Sequence, residues 1–146
     1  MLGANHPLTL SVAINVASVS SALGRHDDAI PLLERGLSAR EQSLGRDHPL
    51  TITAANMLAE EWFSLARLNE ARSLYAKVLQ ARKESLGSAH PETASNLVRL
   101  AAVHQPHEAR LLFQRALSAR ERALGADHPL TAAVRASLAD LEPANA

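Results

Sequence analysis

The stretch Leu44-Gly45-Arg46-Asp47-His48-Pro49-Leu50-Thr51 decides the fold, because the chain contains it four times with small changes. The other copies occupy residues 2–9, 86–93 and 124–131, and the four histidines are spaced 42, 42 and 38 residues apart. A period of this length is typical of helical repeat arrays rather than of a single globular core. The sequence therefore predicts an array of short helical units.

The stretch has the residues of a joint between two helices. Gly45 follows a leucine that closes an apolar-periodic segment, and glycine there favours helix termination because it adopts the left-handed conformation without a Cβ clash. Pro49 comes four residues later, and its fixed φ and missing N–H suit the first turn of a new helix. Each copy is therefore expected to end one helix and begin the next.

Each repeat contains two segments in which apolar residues recur at helical spacing, here named the A helix and the B helix. The first A helix is expected at about residues 7–23, and the B helix follows Asp27, a residue type that favours the N-cap. Asn69 and His107 hold the equivalent place in the later repeats. The buried faces are expected to include Leu10, Ile14, Ala17, Leu44, Leu86 and Leu130.

The third repeat is four residues shorter than the others. The B helix keeps its register there, so one helical turn is missing near His104-Gln105-Pro106-His107. This predicts a shortened third A helix that Pro106 stops.

The composition indicates an all-α domain with an aliphatic core. Of 146 residues, 47% are hydrophobic, and no strand-like alternation is present. Fifteen basic and fifteen acidic residues cancel, which gives no support for nucleic acid or an anionic membrane as a partner. The absence of cysteine excludes disulfides and fits a reducing compartment, so we expect the cytoplasm.

The apolar segment at residues 8–23 resembles the core of a signal peptide. The positively charged region that precedes such a core is missing, because no Lys or Arg occurs before Arg25. The segment also aligns with the later repeats, and it is too short and too rich in serine to span a membrane. We therefore assign it to the first A helix.

The repeat resembles the tetratricopeptide repeat, in the 42-residue form found in kinesin light chains and many bacterial proteins. Besides the repeated stretch, Asn56-Met57-Leu58-Ala59, Glu70-Ala71 and Arg40-Glu41 match that form, and the resemblance covers about residues 2–141. It implies a right-handed superhelical solenoid of antiparallel helix pairs in a single domain, residues 1–146. Three repeats would lie at about 6–47, 48–89 and 90–127, with a capping helix at about 129–141.

The resemblance also implies a non-enzymatic scaffold that binds a peptide or protein segment on a concave face lined by A helices. Asn15 and Asn56 would contact the peptide backbone, and Arg99, the only cation on that surface, would bind an acidic residue of the peptide. An apolar residue would lie near Phe63. No cofactor is expected. The implied groove residues are Ser11, Asn15, Ser18, Thr53, Asn56, Glu60, Phe63, Ser95, Arg99 and Ala102.

Other readings of the polar residues are weaker. Histidines one repeat apart are too distant to share a metal ion, and no catalytic motif is found. Two arginine-rich rows follow the B helices, at positions 35, 77 and 115 and at positions 40, 82 and 120. We expect them to be solvated and paired with Glu34, Glu41, Glu84 and Glu121.

An alternative role is a structural segment of a longer array, or a self-assembling module without a peptide ligand. Leu2-Gly3 reads as the end of a preceding B helix. On that reading the Leu10, Ile14 and Ala17 side of the first helix is half covered, and it would favour self-association.

Overall fold

The computed structural model describes residues 6–141. Within this range the chain forms seven α-helices, and none of its residues lies in a β-strand. The helices are α1 (Pro7–Ala22), α2 (His26–Leu44), α3 (Pro49–Ser64), α4 (Leu68–Leu86), α5 (Pro91–Ala102), α6 (Pro106–Leu124) and α7 (Pro129–Asp140). The all-α prediction is confirmed, while Leu2-Gly3 lies outside the described residues.

The A and B helices alternate as expected, and the missing turn lies in an A helix. The three B helices, α2, α4 and α6, have 19 residues each, whereas α1 and α3 have 16 and α5 has 12. Pro106 is the first residue of α6, and α5 already ends at Ala102. The third A helix is therefore shortened, although the proline begins the next helix rather than stopping the previous one.

Histidine is the N-cap of every described A helix and of α7. His48 has an extended backbone, and its Nδ1 accepts a hydrogen bond of 3.2 Å from the backbone N–H of Leu50. His6, His90 and His128 make the same bond at the same distance. The imidazole thus satisfies a backbone donor in the first turn, the task that Ser, Thr, Asp or Asn commonly performs.

The threonine that ends the repeated stretch closes the joint by a hydrogen bond in two of the copies, whereas the buried hydroxyl of Thr51 has no hydrogen-bond partner among the described residues. The buried hydroxyls of Thr93 and Thr131 donate to the carbonyls of Gly87 and Gly125, each at 2.9 Å. Leu130, expected on the buried face, is largely exposed instead, because Thr131 holds the inward position. Leu44 and Leu86 are also exposed, since both lie in the last turn of a B helix.

The N-caps expected for the B helices were wrong. The N-cap of α2 is Arg25, without a side-chain hydrogen bond, so Asp27 lies in the first turn. Asn69 lies inside α4 and His107 inside α6, one residue after each helix begins. Acidic residues in the first turns remain favourable there because they complement the helix dipole.

The first A helix is covered on the side that was expected to be open. Leu10, Ile14 and Ala17 are all buried, because α2 packs on this side of α1. At the closest point Ile14 lies against Gly36, where a Cβ would come within 2.8 Å of the Ile14 side chain. The exposed apolar residues of α1 lie on another face, and they are Leu8, Val12, Val16, Val19 and Leu23.

The chain divides into two compact units, and the division falls inside α4 between Leu74 and Tyr75. In the first unit α2 packs against both α1 and α3, and in the second α6 packs against both α5 and α7. None of the seven described helices has the length and hydropathy of a membrane-spanning segment.

Candidate peptide-binding surfaces of the A helices

The predicted positions on α1 form an exposed polar row. Ser11, Asn15 and Ser18 are all exposed, and their spacing places them along one side of the helix. The hydroxyl of Ser18 donates to the carbonyl of Ile14 at 3.1 Å. This row therefore offers small side chains and the amide group of Asn15 to solvent.

The predicted positions on α3 differ in their exposure. Thr53 is exposed and donates to the carbonyl of Pro49 at 2.9 Å, whereas Asn56 is only 9% exposed. The Asn56 amide donates from Nδ2 to Glu60 Oε1 at 2.9 Å. Phe63, two turns further along, is 42% exposed and presents part of its ring to solvent. The Asn56 side chain is thus held by Glu60, while the phenyl ring is accessible.

The predicted positions on α5 bring a second arginine into the site. Ser95 is half-buried; its hydroxyl donates to the carbonyl of Pro91 at 3.0 Å and accepts from Arg120 Nη2 at 3.3 Å. Arg99 lies one turn further along the helix and is half-buried, and Ala102 is exposed. Ser95 therefore connects the A-helix surface to a residue of α6.

The sequence predicted that Arg99 is the only cation of this surface. This prediction was wrong, because Arg120 lies there as well. Burial lowers the pKa of Arg120, and the positive charge of Arg99 lowers the pKa further. The Arg120 guanidinium bonds Ser95, and Arg99 lies one turn from Ser95 on α5, so both positive charges act on the same region. An anionic group placed there would interact favourably with both charges.

Arg120 belongs to a row of arginines whose role was predicted incorrectly. Arg40 donates from Nη1 to the carbonyl of Leu50 at 2.8 Å, and Arg120 makes the same bond to Leu130 at 2.7 Å. Arg82 donates to the carbonyl of Glu92 at 3.2 Å and also bonds Asn96. These side chains tie each B helix to the start of the next A helix. The glutamates assigned to them have other partners: Arg46 for Glu41, Gln80 for Glu84 and Arg135 for Glu121.

Two further polar contacts were not predicted from the sequence. His26 Nδ1 lies 2.7 Å from Oε2 of the buried Glu61, and Asn96 of α5 is fully buried against Arg82. The sequence did contain a signal for the first contact. Glu61 is polar, whereas the equivalent residues of the other repeats, Val19 and Val103, are apolar. In residues 6–141 no three histidine or carboxylate side chains come together that could hold a metal ion.

The described A helices thus place the predicted residues in two groups, one in each unit. Residues of α1 and α3 in the first unit offer exposed small and polar side chains with the ring of Phe63. The α5 residues of the second unit lie beside the arginine pair.

Comparison with known families agrees with the repeat geometry. A family model described as tetratricopeptide repeat matches residues 51–92 and 93–130, which together exceed half of the chain. A second model with the same description matches residues 8–61. The chain belongs to the tetratricopeptide repeat family. Tetratricopeptide repeats generally mediate protein–protein interactions, and the scaffold is generally non-enzymatic.

Solved structures of other proteins share the fold. One is a variant of a Podosopora anserina protein described as a kinesin light chain with nearly identical TPR-like repeats. It has a TM-score of 0.86 at 25% identity, over 97% of this chain and 68% of that chain. A second structure with that description gives 0.81 at 24% identity, over 93% and 66%. BtubC (BKLC) from P. vanneervenii gives 0.83 at 18% identity, over 92% and 55%.

These neighbours share the fold class of this chain, and they are longer than it. The chain spans 66% of the second and 55% of the third. No curated protein sequence is significantly similar to it.

Proposed function

We propose that this tetratricopeptide chain is a cytoplasmic interaction module that binds an extended peptide segment through its A helices. The observation that carries the proposal is the exposure of Phe63, a 42% exposed aromatic ring beside small and polar side chains. Accessible aromatic rings are favoured anchors at binding surfaces because they bury a large area at low entropic cost.

The first unit would supply an apolar subsite with polar surroundings. The phenyl ring of Phe63 would contact an apolar side chain of the peptide, and Asn15 and Thr53 are exposed and can bond to its backbone. Asn56 would act mainly through Glu60, because its amide already donates to that carboxylate. This subsite selects for shape and hydrophobicity.

The second unit would supply an acidic subsite. Arg99 and Arg120 act on the same region, and a peptide carboxylate would reduce their mutual repulsion. Guanidinium groups suit carboxylates because the planar donors match both oxygens. The proposed ligand therefore contains an acidic residue and an apolar residue, and its affinity is on the order of micromolar because an unfolded segment must be ordered.

Selection from a random peptide library tests this function. The wild-type chain should enrich peptides that carry an acidic and an apolar residue, and a selected peptide should bind Phe63→Ala and Arg99→Glu about tenfold more weakly. Leu50→Ala and Arg46→Glu are matched controls, because both residues are exposed and outside the proposed subsites. Equal binding by all four variants would overturn the proposal.

Self-association through α1 is a second candidate role, and the exposed apolar stripe of that helix favours it. Leu8, Val12, Val16, Val19 and Leu23 are between 49% and 68% exposed. Their spacing makes one continuous face, which leaves on the order of 500 Å² of apolar surface in contact with water. The α3 residues equivalent to Val12, Val16 and Val19, which are Ala54, Leu58 and Glu61, are buried, and α2 packs on that helix.

Sedimentation velocity tests this second role. The wild-type chain should show a concentration-dependent dimer, and Val12→Glu with Val16→Glu should give a monomer with an unchanged helical content. Ser11→Glu is the matched control, since it adds the same charge beside the stripe. A monomer at every concentration for the wild-type chain would exclude pairing through α1.

A further inference from the structure

The second unit contains an open groove of about 540 Å³ that the proposed peptide surface does not use. Its floor is formed by Thr93 and Leu97 of α5, both buried. One wall comes from the end of α4 and the following turn, through Lys83 and Ser88, and the other comes from α6. The volume suits a short peptide segment or a similarly small group.

The wall formed by α6 has an apolar residue at one end and two arginines along the rest of its length. Leu111, Arg115, Ser118 and Arg122 line the groove, and their spacing places them on one face of the helix. Leu111 is 63% exposed, so an apolar side chain stands at one end of this face. Arg115 lies about one turn and Arg122 about three turns beyond Leu111, and the small Ser118 between them leaves space for a ligand.

The electrostatic character of the groove is uniformly positive. Lys83, Arg115 and Arg122 all line it, and none of its lining residues in the described part of the chain is acidic. Within residues 6–141 these three side chains take part in no ion pair or hydrogen bond. Three like charges around one groove favour an anionic ligand, because such a ligand would reduce their repulsion.

Two of the three positive charges, those of Lys83 and Arg122, are specific to this groove, whereas Arg115 has the basic equivalents Arg35 and Lys77 in the other repeats. The positions equivalent to Lys83 in the other repeats are Glu41 and Glu121. The positions equivalent to Arg122 are Gln42 and Glu84. Since the repeat folds with acidic residues at both positions, the positive charges of Lys83 and Arg122 are not needed for packing.

We propose that this groove, named here the B-helix groove, binds an acidic peptide segment of a protein partner. Carboxylates of the segment contact Lys83, Arg115 and Arg122, and an apolar residue contacts Leu111. An acidic protein segment fits better than nucleic acid, since no aromatic residue lines the groove to stack bases and the chain has no net positive charge. The site contains none of the residues of the proposed peptide surface and does not depend on their function.

Fluorescence anisotropy with a labelled Glu-Glu-Leu-Glu-Glu peptide tests the proposal. Binding by the wild-type chain should weaken as salt is added, and Lys83→Glu and Arg122→Glu should each weaken it about fivefold or more. Both substitutions introduce the residue that another repeat carries at that position, so folding is expected to be retained. Circular dichroism checks the fold of each variant.

Three comparisons decide the outcome. The matched Gln-Gln-Leu-Gln-Gln peptide should not bind, and Arg46→Glu, a surface charge outside the groove, should bind as the wild-type chain does. Phe63→Ala should also bind normally, which separates this groove from the A-helix surface. Absence of binding, equal loss in Arg46→Glu, or tighter binding of a single-stranded oligonucleotide through the same residues would each overturn the proposal.

Discussion

The imidazole Nδ1 of His26 lies 2.7 Å from Oε2 of Glu61, and this pair joins the first turn of α2 to the last part of α3. Glu61 is buried, so its carboxylate depends on this partner. At the equivalent positions one repeat later the chain has Leu68 and Val103. The same place in the repeat is therefore filled once by a polar pair and once by apolar residues.

Removal of the histidine alone should be more harmful than replacement of both residues. His26→Ala leaves the Glu61 carboxylate buried without its partner and should lower the free energy of unfolding by about 1–3 kcal/mol. The double variant His26→Leu with Glu61→Val should recover most of this loss, because it removes the buried carboxylate and introduces the residues that the next repeat carries there. Urea denaturation of His26→Leu, of Glu61→Val and of the double variant completes the cycle, and a double-variant loss equal to the sum of the two single losses would show that the pair is not coupled.

The histidine N-caps predict a selective effect of substitution at His48. His48→Ala should cost about 0.5–2 kcal/mol of stability, because the N–H of Leu50 loses its acceptor. His48→Asn should cost much less, since an amide oxygen can accept the same hydrogen bond. Thermal unfolding followed by circular dichroism compares the two. Equal losses would mean that the ring stabilises the joint by packing and not by capping.

The turn after α3 contains a strained alanine. Ala66 has φ of 57°, in the left-handed region, whereas Gly24 holds the equivalent position after α1 with φ of 73°. Ala66→Gly should therefore stabilise the chain by about 1 kcal/mol, since the Cβ strain is removed. Gly24→Ala should destabilise it by a similar amount. Denaturation midpoints test the pair, and changes of the same sign would contradict this explanation.

Glu70 should titrate below its ordinary range. Hydrogen bonds from the Arg67 guanidinium, at 2.8 and 3.0 Å, lower the pKa of this carboxyl, and a backbone hydrogen bond lowers the pKa further. A carboxyl with a lowered pKa in the folded state stabilises the fold at neutral pH, and this contribution is lost as the pH falls through that lowered pKa. The effect is small because the pair is exposed.

Carboxyl titration by NMR checks this prediction. Arg67→Gln should raise the pKa of Glu70 toward its ordinary value, and Arg46→Gln should leave it unchanged. A Glu70 titration curve that is the same in all three proteins would show that Arg67 is not the cause of the shift.

The sequence was sufficient for the helices and their joints, because glycine and proline act locally. Gly45 and Pro49 end and begin helices through their own backbone geometry, so no tertiary information was needed. The role of His48 was less accessible, since histidine is not among the common N-cap residues. Its position directly before Pro49 was the only signal.

Contacts between helices were harder to infer. In the sequence, Arg40 cannot be distinguished from an arginine exposed to solvent. Only the packing of α2 on α3 shows that it donates to the carbonyl of Leu50. Likewise, Leu10 and Val12 are both apolar, and the choice of which one faces α2 depends on helix rotation. The contact of Arg120 with Ser95 was missed for a similar reason, because the long arginine side chain extends from α6 to α5.

The missing turn of α5 shows how a chain of this kind can acquire new ligand preferences. The loop before each B helix has three residues in all three repeats, and every B helix has 19, so the whole deletion is absorbed within one A helix. Insertions and deletions of about one turn can thus alter the length of a binding surface while the capped joints on either side stay intact. Evolution of specificity in such a protein is then not limited to point substitution, since a single indel of four residues removes or adds a complete set of outward-facing side chains.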